Sequence, residues 1–511
     1  MAARVLHQAL DDWAARQPKA LFAAEAGRQM RYAEAQAATR RLAAAFQQTG
    51  LTPGQRVAVL SKNRIEVVLL YYAVARAGLT LVPLNTRLAA EEWVYLLADA
   101  QPSVLFVDAP FVGPIDGLRT RLATRCVALD ATPGWESFQS WLNNEAATSE
   151  VAVQPDPDRD LLQLYTSATT GRPKGAVLTH RAVCANIEQI GQAIATSPGE
   201  PSLVVAPLFH AAVVPSTLTP LARGGSIYLQ AEFRPAEVVR ALDEEQIGFA
   251  VLVPAMLQAC LSDVPDLSMR RFEALRLIYY GSSPISEPTL RSAMRAFGCG
   301  FVQSYGMTEA SQAVTFLTPE DHMRGLTGRP ELLLSAGRAA PGTQIAIGDA
   351  GEVLVRGPQL MRCYWGQPDA TSAALRDGWL HTGDLGTLDR DGYLTIRDRL
   401  KDMIVSGGEN VYPRAIEDVL ADHPAVAEAA VIGVPDARWG ETVKAVIVPR
   451  AGCAVDADEV IAFCRHRLGG FEVPRSVELM DALPRNAAGK VLKRVLREAY
   501  WAGQQRGVAG A

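Results

Sequence analysis

The sequence predicts an α/β fold: a large N-terminal domain with parallel βαβ sheets and a strand-rich subdomain, plus a small α+β C-terminal domain. Three observations carry this. Short apolar runs alternate with helical patterns long enough to cross over between parallel strands. The order changes after residue 402, where two long apolar runs stand close together with helices around them. Finally, 511 residues exceed what one ordinary hydrophobic core accommodates, so two or more domains are expected.

Taken in order, residues 6–17 and 39–48 have helical periodicity, 56–60 reads as a strand and 65–77 as a helix. Residues 79–84 are a strand, 90–98 helical and 103–107 a strand. Residues 160–164 form a short apolar strand, and 176–180 are apolar again ahead of a helical pattern from Arg181. Later strands are expected at 203–207, 226–229, 248–253 and 275–280, and residues 337–355 are rich in strand character. The small domain shows a helix over 414–420, strands over 425–434 and 443–448, and a helix over 457–468. A short strand over 477–479 and a closing helix over 491–500 complete it.

Composition excludes several classes. Hydrophobic content of 49 % with 21 % charged residues is an ordinary soluble globular balance. A net charge of −5, from 50 basic and 55 acidic residues with no long basic run, argues against a nucleic-acid partner. Cys126, Cys184, Cys260, Cys299, Cys363, Cys453 and Cys464 are scattered without a C-x-x-C pair. Reduced, buried thiols and a cytoplasmic location are therefore expected. The N-terminus carries Asp11 and Asp12 in an amphipathic pattern, unlike a signal peptide. The longest apolar stretch, 65–75, contains Glu66 and is too short to span a bilayer, so it reads as a buried helix.

The most informative stretch is Tyr165-Thr166-Ser167-Ala168-Thr169-Thr170-Gly171-Arg172-Pro173-Lys174-Gly175. Hydroxyls and backbone N–H groups donate hydrogen bonds, glycines allow close approach and a lysine brings a point charge, which suits a loop that wraps phosphate oxygens. It is not a Walker loop, because no Gly-Lys-Ser/Thr follows a glycine at the required spacing. Alone, such a loop is commonly just a polar turn. Its residue order resembles the phosphate loop of the adenylate-forming superfamily: acyl-CoA synthetases, luciferases and the adenylation domains of peptide synthetases. Their pattern, Thr-Ser-Gly-Thr-Thr-Gly-x-Pro-Lys-Gly, is matched at every fixed position except one, where Ala168 stands for glycine.

The resemblance covers nearly the whole chain. Gln303-Ser304-Tyr305-Gly306-Met307-Thr308-Glu309 is its strongest further match. It implies that Tyr305 stacks on adenine, Thr308 meets phosphate and Glu309 binds Mg²⁺, an ion that prefers carboxylate and phosphate oxygen. Tyr280-Gly281-Ser282-Ser283-Pro284 matches the turn between acyl and adenine pockets, although alone it is an ordinary strand-ending turn. The Asp384 of Gly378-Trp379-Leu380-His381-Thr382-Gly383-Asp384 and Arg399 resemble the ribose-binding pair. An ATP/AMP site is thereby implied at Thr166, Ser167, Ala168, Thr169, Thr170, Gly171, Lys174, Gly281, Ser282, Ser283, Gln303, Ser304, Tyr305, Gly306, Thr308, Asp384 and Arg399. The acyl pocket is implied at His210, Ala211, Val214, Pro254, Gly281, Gly306 and Met307.

Lys401 and Asp402 resemble a hinge, giving an expected division of 1–398 for the acyl and ATP domain, 399–402 for the hinge and 403–511 for a mobile domain. Lys490 resembles the catalytic lysine, acting with Lys174, Glu309 and Thr308. Gly407 and Gly408 would line a pantetheine tunnel, and Trp439, Phe471 and Arg475 stand at plausible CoA contacts by position. The resemblance implies a two-step enzyme that uses ATP, Mg²⁺ and CoA and passes a small-molecule carboxylic acid through acyl-AMP to acyl-CoA. Medium- to long-chain fatty acyl-CoA ligases look closest, with aryl-CoA ligases next. No aspartate for a substrate amine stands in 209–215, which argues against an amino acid. Three alternatives stay open: loading of a carrier protein in trans, a non-catalytic nucleotide-binding protein, and assembly as a homodimer.

Overall fold

The computed structural model describes residues 5–143, 153–166, 172–485 and 491–502. Contacts divide the chain into two compact units. The first draws on Met1–Thr166, Pro173–Gln344 and Arg356–Leu380, and the second chiefly on Ile345–Val355 and His381–Ala511.

The first unit holds two large sheets. The nine-stranded sheet runs, in spatial order, Arg338–Ala339, Thr315–Leu317, Gly300–Tyr305, Leu277–Gly281, Phe249–Val251, Pro201–Val204, Ser226–Leu229, Leu21–Glu25 and Arg28–Arg31. Its middle, from Gly300–Tyr305 to Leu21–Glu25, is parallel, and both edges are antiparallel. The eight-stranded sheet runs Cys363–Tyr364, Gly175–Thr179, Asp160–Tyr165, Thr80–Pro83, Arg56–Leu60, Val104–Val107, Arg125–Ala128 and Glu136–Ser137. It is parallel from Asp160–Tyr165 onward and antiparallel at the Gly175–Thr179 edge. The expected parallel sheets are thus present, and the antiparallel edges are additions that alternation alone did not signal.

Several elements differ from expectation for physical reasons. The helix expected at 39–48 begins at Tyr32 and runs to Gln48. Its first half is Ala-rich, so it forms on propensity rather than on an apolar stripe, and Glu34 reaches back to the Arg31 N–H at 2.7 Å. The hairpin Leu21–Glu25 to Arg28–Arg31 went unread because its turn is Ala26-Gly27 rather than Asn-Gly, yet both residues take positive φ (40° and 80°), as a two-residue hairpin turn requires. The strand expected at 203–207 is Pro201–Val204. The helices expected at 457–468 and 491–500 are Ala457–Arg465 and Lys493–Trp501. Helix Ile65–Ala77 is buried around most of its circumference, and Glu66 is paired with Arg28 and Arg64 at 2.6 and 2.7 Å. Of the seven free cysteines only Cys126, Cys260 and Cys464 are buried; Cys453 is exposed, contrary to the expected burial. Among the described residues no helix is long and apolar enough to cross a membrane.

In the second unit, strands Val426–Asp436 and Gly440–Pro449 pair antiparallel, Ser476–Leu479 joins parallel, and Ile404–Ser406 with Glu409–Val411 forms the other edge. Alternate residues face opposite ways. Val431, Val443, Ala445 and Ile447 pack with Ile416, Leu420, Val460 and Cys464, whereas Ala430, Ile432, Val434 and Val446 pack with Leu483 and Leu496. Both faces being covered explains why these strands read as continuous apolar runs.

Several histidines of the first unit are held in neutral form, His180 and His322 among them. His180 accepts the Leu6 N–H at Nδ1 (3.2 Å), and burial, helped by His7 and Arg159, lowers its pKa from 6.5 to about 3. His322 lies between the Tyr280 hydroxyl at Nε2 and the Thr318 carbonyl at Nδ1, both 2.8 Å away, and burial lowers its pKa from 6.5 to about 4. Because the folded pKa lies below the unfolded one, the unfolded chain takes up these protons first as pH falls. Stability is then full above the unfolded value and is lost on descending towards the folded one. The melting temperature should fall between pH 7 and pH 5, before most carboxylates titrate. It should fall less in the His180→Gln, His322→Gln double variant, measured by thermal scanning at both pH values.

Candidate active site

Four candidate segments of the first unit leave adjacent parallel strands at the same end. His210 follows Pro201–Val204, Pro254 follows Phe249–Val251, Ser282 and Ser283 follow Leu277–Gly281, and Met307 to Glu309 follow Gly300–Tyr305. Ligands of open α/β sheets bind outside such carboxyl ends. Register ties two of the segments directly, with Gly281 opposite Ser304 and Tyr280 opposite Gln303. Ser282 takes a positive φ of 72°, and Ser282 and Ser283 are exposed.

The turn after Tyr305 is tightly constrained. A Cβ on Gly306 would lie 1.8 Å from the Gln312 carbonyl oxygen, so glycine is required there by the protein's own backbone. Thr308–Ala310 forms one 3₁₀ turn, and Ser311 follows at φ 62°, ψ −53°, closed by Gln312 N–H to the Ala310 carbonyl at 2.7 Å. That is the strained γ-turn. Buried hydrogen bonds hold it: Ser311 Oγ donates to the Gln359 carbonyl (2.8 Å), and Gln312 joins the Ser216 N–H (2.9 Å) and the Tyr279 hydroxyl (3.1 Å). Glu309 is half-buried; its carbonyl accepts the Met361 N–H, and its Oε1 accepts the Tyr364 hydroxyl, both at 2.7 Å.

His210 lies in a turn six residues beyond the end of Pro201–Val204, because the strand expected to run to residue 207 stops at Val204. Its Nδ1 accepts the Ala212 N–H at 3.2 Å, which leaves Nε2 as the donor of the neutral ring. Burial lowers its pKa, and the charge of Arg87 adds to the effect. Arg87, exposed on the turn after Leu84, is a cation near this region that sequence reasoning missed. Ala211, Val213, Val214 and Pro254 are buried and Met307 is half-buried.

The phosphate-loop candidate connects the antiparallel strands Asp160–Tyr165 and Gly175–Thr179, so it is a hairpin loop and not a strand-to-helix crossover. Ser167, Ala168, Thr169, Thr170 and Gly171 lie outside the described residues, as does Lys490. The loop's stem is described. Thr166 N–H donates to the Lys174 carbonyl at 2.9 Å, and Tyr165 donates to Asp99 Oδ2 at 2.5 Å while accepting from Gln163 at 2.9 Å. Arg56 donates to Gln163 at 2.6 Å and lies 3.3 Å from the Trp365 ring centroid. Lys174 Nζ lies 5.0 Å from the Tyr364 ring centroid.

In the second unit Asp384 and Arg399 are cross-strand partners and form an ion pair at 3.2 Å, with Asp384 almost fully buried. Lys401 and Asp402 sit in the turn between Leu394–Arg399 and Ile404–Ser406. Burial, with Arg399 nearby, lowers the Lys401 pKa to about 8. Asp402 pairs with Arg497 at 3.0 Å. Gly407 and Gly408 take positive φ in the next hairpin turn, and the Gly407 N–H donates to the Trp439 carbonyl at 2.8 Å. A Cβ on Gly407 would meet the Trp439 ring at 2.6 Å. Arg475 lies 5.4 Å from the same ring, so Gly407, Trp439 and Arg475 are brought together, while Phe471 is exposed.

The AMP-binding enzyme model matches residues 10–365, and the AMP-binding enzyme C-terminal domain model matches residues 415–490. The chain belongs to the AMP-binding enzyme family. Relatives that match nearly the whole chain are named as CoA ligases, consistent with an AMP-forming acid–CoA ligase. The chain is 39 % identical to a feruloyl-CoA synthase of an Amycolatopsis species over 504 residues, covering 97 % of this chain and 99 % of that one. The fatty acyl CoA synthetase of Mycobacterium tuberculosis matches with a TM-score of 0.77 and 33 % identity over 98 % of this chain and 99 % of that one. The o-succinylbenzoate coenzyme A synthetase of Bacillus subtilis, in complex with ATP and magnesium ion, matches with a TM-score of 0.83 and 30 % identity over 95 % and 98 %.

For an AMP-binding enzyme the residue most clearly missed by sequence reasoning is Tyr364, which touches both Glu309 and Lys174 although 55 residues separate it from the former. Its signal was faint: an aromatic pair, Tyr364-Trp365, just after the apolar Met361. The Gly306 constraint gives a direct test. Gly306→Ala must displace backbone, and overpacking of this kind costs about 3 kcal/mol or more. A melting temperature several degrees below the parent is expected, with loss of ATP–pyrophosphate exchange. Gly113→Ala, where an added Cβ meets nothing within 4 Å, should leave both unchanged.

Proposed function

We propose that this enzyme activates a monocarboxylic acid with an apolar tail, favouring a medium- or long-chain fatty acid, through acyl-AMP and transfers it to CoA. The observation that carries the apolar part is the character of the His210–Val214 segment: Ala211, Val213 and Val214 are buried and apolar, and His210 is held neutral by burial. No lysine or arginine stands within 209–214, so a second carboxylate buried beside Ala211 and Val214 finds no cation on that segment and pays several kcal/mol. An aryl acid is the second reading, favoured by the 39 % identity to a feruloyl-CoA synthase. Loading of a carrier-protein thiol is a third acceptor chemistry, separated by the CoA requirement below.

In the first step a carboxylate oxygen attacks the α-phosphorus and pyrophosphate leaves. Carboxylate and triphosphate repel, so the chain's task is to orient both and neutralise charge. Lys174 and the loop hydroxyls are assigned to the phosphates, Thr308 to a phosphate oxygen, and Lys490 to the carboxylate and α-phosphate. Tyr305 faces adenine, and the Asp384–Arg399 pair takes the ribose hydroxyls. Glu309 fits a Mg²⁺ ligand because one carboxylate oxygen is committed to Tyr364 and the other is outside that bond; bound with ATP, the ion supplies neutralisation of the phosphate charge. In the second step a thiol attacks the acyl carbonyl and AMP departs, so no side-chain nucleophile is required. Gly407, Gly408, Trp439, Phe471 and Arg475 are assigned to CoA, and the turn at Lys401 and Asp402 to the pivot between steps.

The substrate reading is tested by incubating the enzyme with ATP, Mg²⁺ and a panel of octanoate, palmitate, benzoate, ferulate, malonate and succinate, with and without CoA. AMP and acyl-CoA are then measured by chromatography. A kcat/KM for either dicarboxylate above those for octanoate, benzoate and ferulate overturns the apolar pocket. Preference for ferulate over octanoate selects the aryl reading, and acyl-AMP that CoA never discharges selects a carrier protein.

The assignment of Lys490 separates the half-reactions. Lys490→Ala should slow adenylation by roughly 10²-fold or more, the usual effect of removing one preorganised donor, and should still convert synthetic acyl-AMP to acyl-CoA. Lys401→Pro should do the reverse, since proline fixes φ and restricts its neighbour where a pivot must turn. Both half-reactions are measured on both variants; damage to the same half-reaction sinks the assignment.

A further inference from the structure

We propose that Tyr364 is a positioning residue that aims the Glu309 carboxylate and holds it apart from Lys174. The proposal rests on the reading of Glu309 as a metal-ion ligand and of Lys174 as a phosphate ligand.

The geometry begins with an edge strand. Cys363–Tyr364 pairs antiparallel with Gly175–Thr179, Tyr364 lying opposite Ala176. Backbone bonds continue the pairing on both sides, from Arg362 N–H to the Val177 carbonyl at 2.9 Å and from Trp365 N–H to the Gly175 carbonyl at 2.7 Å. Trp365 is itself fixed by Arg56 over its ring and by its indole N–H on the Asp99 carbonyl at 3.1 Å. Tyr364 therefore has little freedom, and its side chain is buried to 8 % exposure.

From that position it makes two contacts of opposite kind. The hydroxyl reaches Glu309 Oε1 at 2.7 Å, and because a carboxylate only accepts, the phenol must be the donor. The ring face meets Lys174, whose ammonium lies 5.0 Å from its centroid, within the range of a cation–π contact. Both charged groups meet the same side chain, the carboxylate at its hydroxyl and the ammonium at its ring face, and a Glu309 paired directly with Lys174 would serve neither a cation nor a phosphate. Tyr364 takes the carboxylate on its polar end and the ammonium on its face. One Glu309 oxygen is thereby committed, and the other is left with a fixed direction. The Met361 N–H on the Glu309 carbonyl pins the backbone of the same residue from the same segment, so the aim is set twice.

Tyr364→Phe keeps the ring and the burial and removes only the donor. Losing one hydrogen bond to a charged group corresponds to about tenfold in binding. The probe is Mn²⁺ in place of Mg²⁺, with a non-hydrolysable ATP analogue, followed by electron paramagnetic resonance on the full-length protein. Tyr364→Phe should weaken Mn²⁺ binding about tenfold, leave AMP affinity within about twofold and leave the melting temperature near that of the parent. Glu309→Gln should weaken it at least as much. The double variant should be no weaker than Glu309→Gln alone, because Tyr364 acts through Glu309. Unchanged Mn²⁺ affinity in Tyr364→Phe, or additive effects in the double variant, overturns the proposal. Mn²⁺ binding that is indifferent to Glu309→Gln overturns the assignment of Glu309 instead. Absence of turnover on every acid of the panel, with Mn²⁺ binding still dependent on Tyr364, overturns the substrate reading and leaves the positioning role standing.

Discussion

Parallel pairing of Pro201–Val204, Phe249–Val251, Leu277–Gly281 and Gly300–Tyr305 puts four chain exits at one end of one sheet, and the first unit's chemistry depends on that edge. Each exit is stitched to its neighbours rather than free. Gln312 shows how. Its carbonyl oxygen excludes any side chain at residue 306, its amide reaches Tyr279 on the adjacent strand, and its side-chain oxygen takes the Ser216 N–H at the start of Val214–Ala222. The helix behind His210 and the turn that carries Glu309 are therefore one packed assembly. A glycine that looks as though it serves a ligand serves first the crossing of two backbones.

The antiparallel edges do a different job. A parallel strand needs a long crossover to reach its neighbour, so residues close in space are distant in sequence by necessity. An antiparallel edge can bring in a late segment with only a few hydrogen bonds. Cys363–Tyr364 does this against Gly175–Thr179, about 190 residues earlier, and so brings an aromatic into contact with both Glu309 and Lys174. The hairpin formed by Asp160–Tyr165 and Gly175–Thr179 follows the same logic. The base of that hairpin is tied by the hydrogen-bonded series Arg56, Gln163, Tyr165 and Asp99.

How much of this was legible follows from the kind of interaction involved. Strands 56–60 and 226–229 and helix 65–77 were readable to the residue, because apolar periodicity over a buried element has no competing pattern. Tyr32–Ala38 was not, since alanine supplies helix propensity without a stripe. Tyr305 to Glu309 and Asp384 were recognisable as motifs, since several unusual residues stand there at fixed spacing. Arg87 and Tyr364 were not, because each meets its partners only through tertiary folding. Ser311 hid for another reason: nothing in a serine announces a γ-turn, which is imposed by Gly306 and Gln312 on either side of it.

The turn at Lys401 and Asp402 shows why a charge cluster in sequence need not be a solvated face. Asp398 and Asp402 are both largely withdrawn from water, and so are Lys493 and Arg497 on the final helix. Burial raises the pKa of Asp398, and it would raise that of Asp402 too, but Lys493 and Arg497 outweigh it and hold that carboxyl below its ordinary value. Lys493 in turn is raised despite its own burial, because Glu417, Asp398 and Asp402 surround it, with Glu417 at 2.8 Å. The Asp398 carboxylate also accepts the Arg399 and Arg414 N–H groups at 2.7 and 2.9 Å, so the turn is bound through backbone as well as charge. Each ion is tolerable only while its partners remain, since removing one partner of a buried pair costs about 3–5 kcal/mol. An apolar residue at any of these positions would relieve desolvation yet strand the charges left behind. The turn between Leu394–Arg399 and Ile404–Ser406 is therefore fixed by mutual compensation among five ionic side chains rather than by hydrophobic packing, and any change in its shape must exchange those partners or admit water to them.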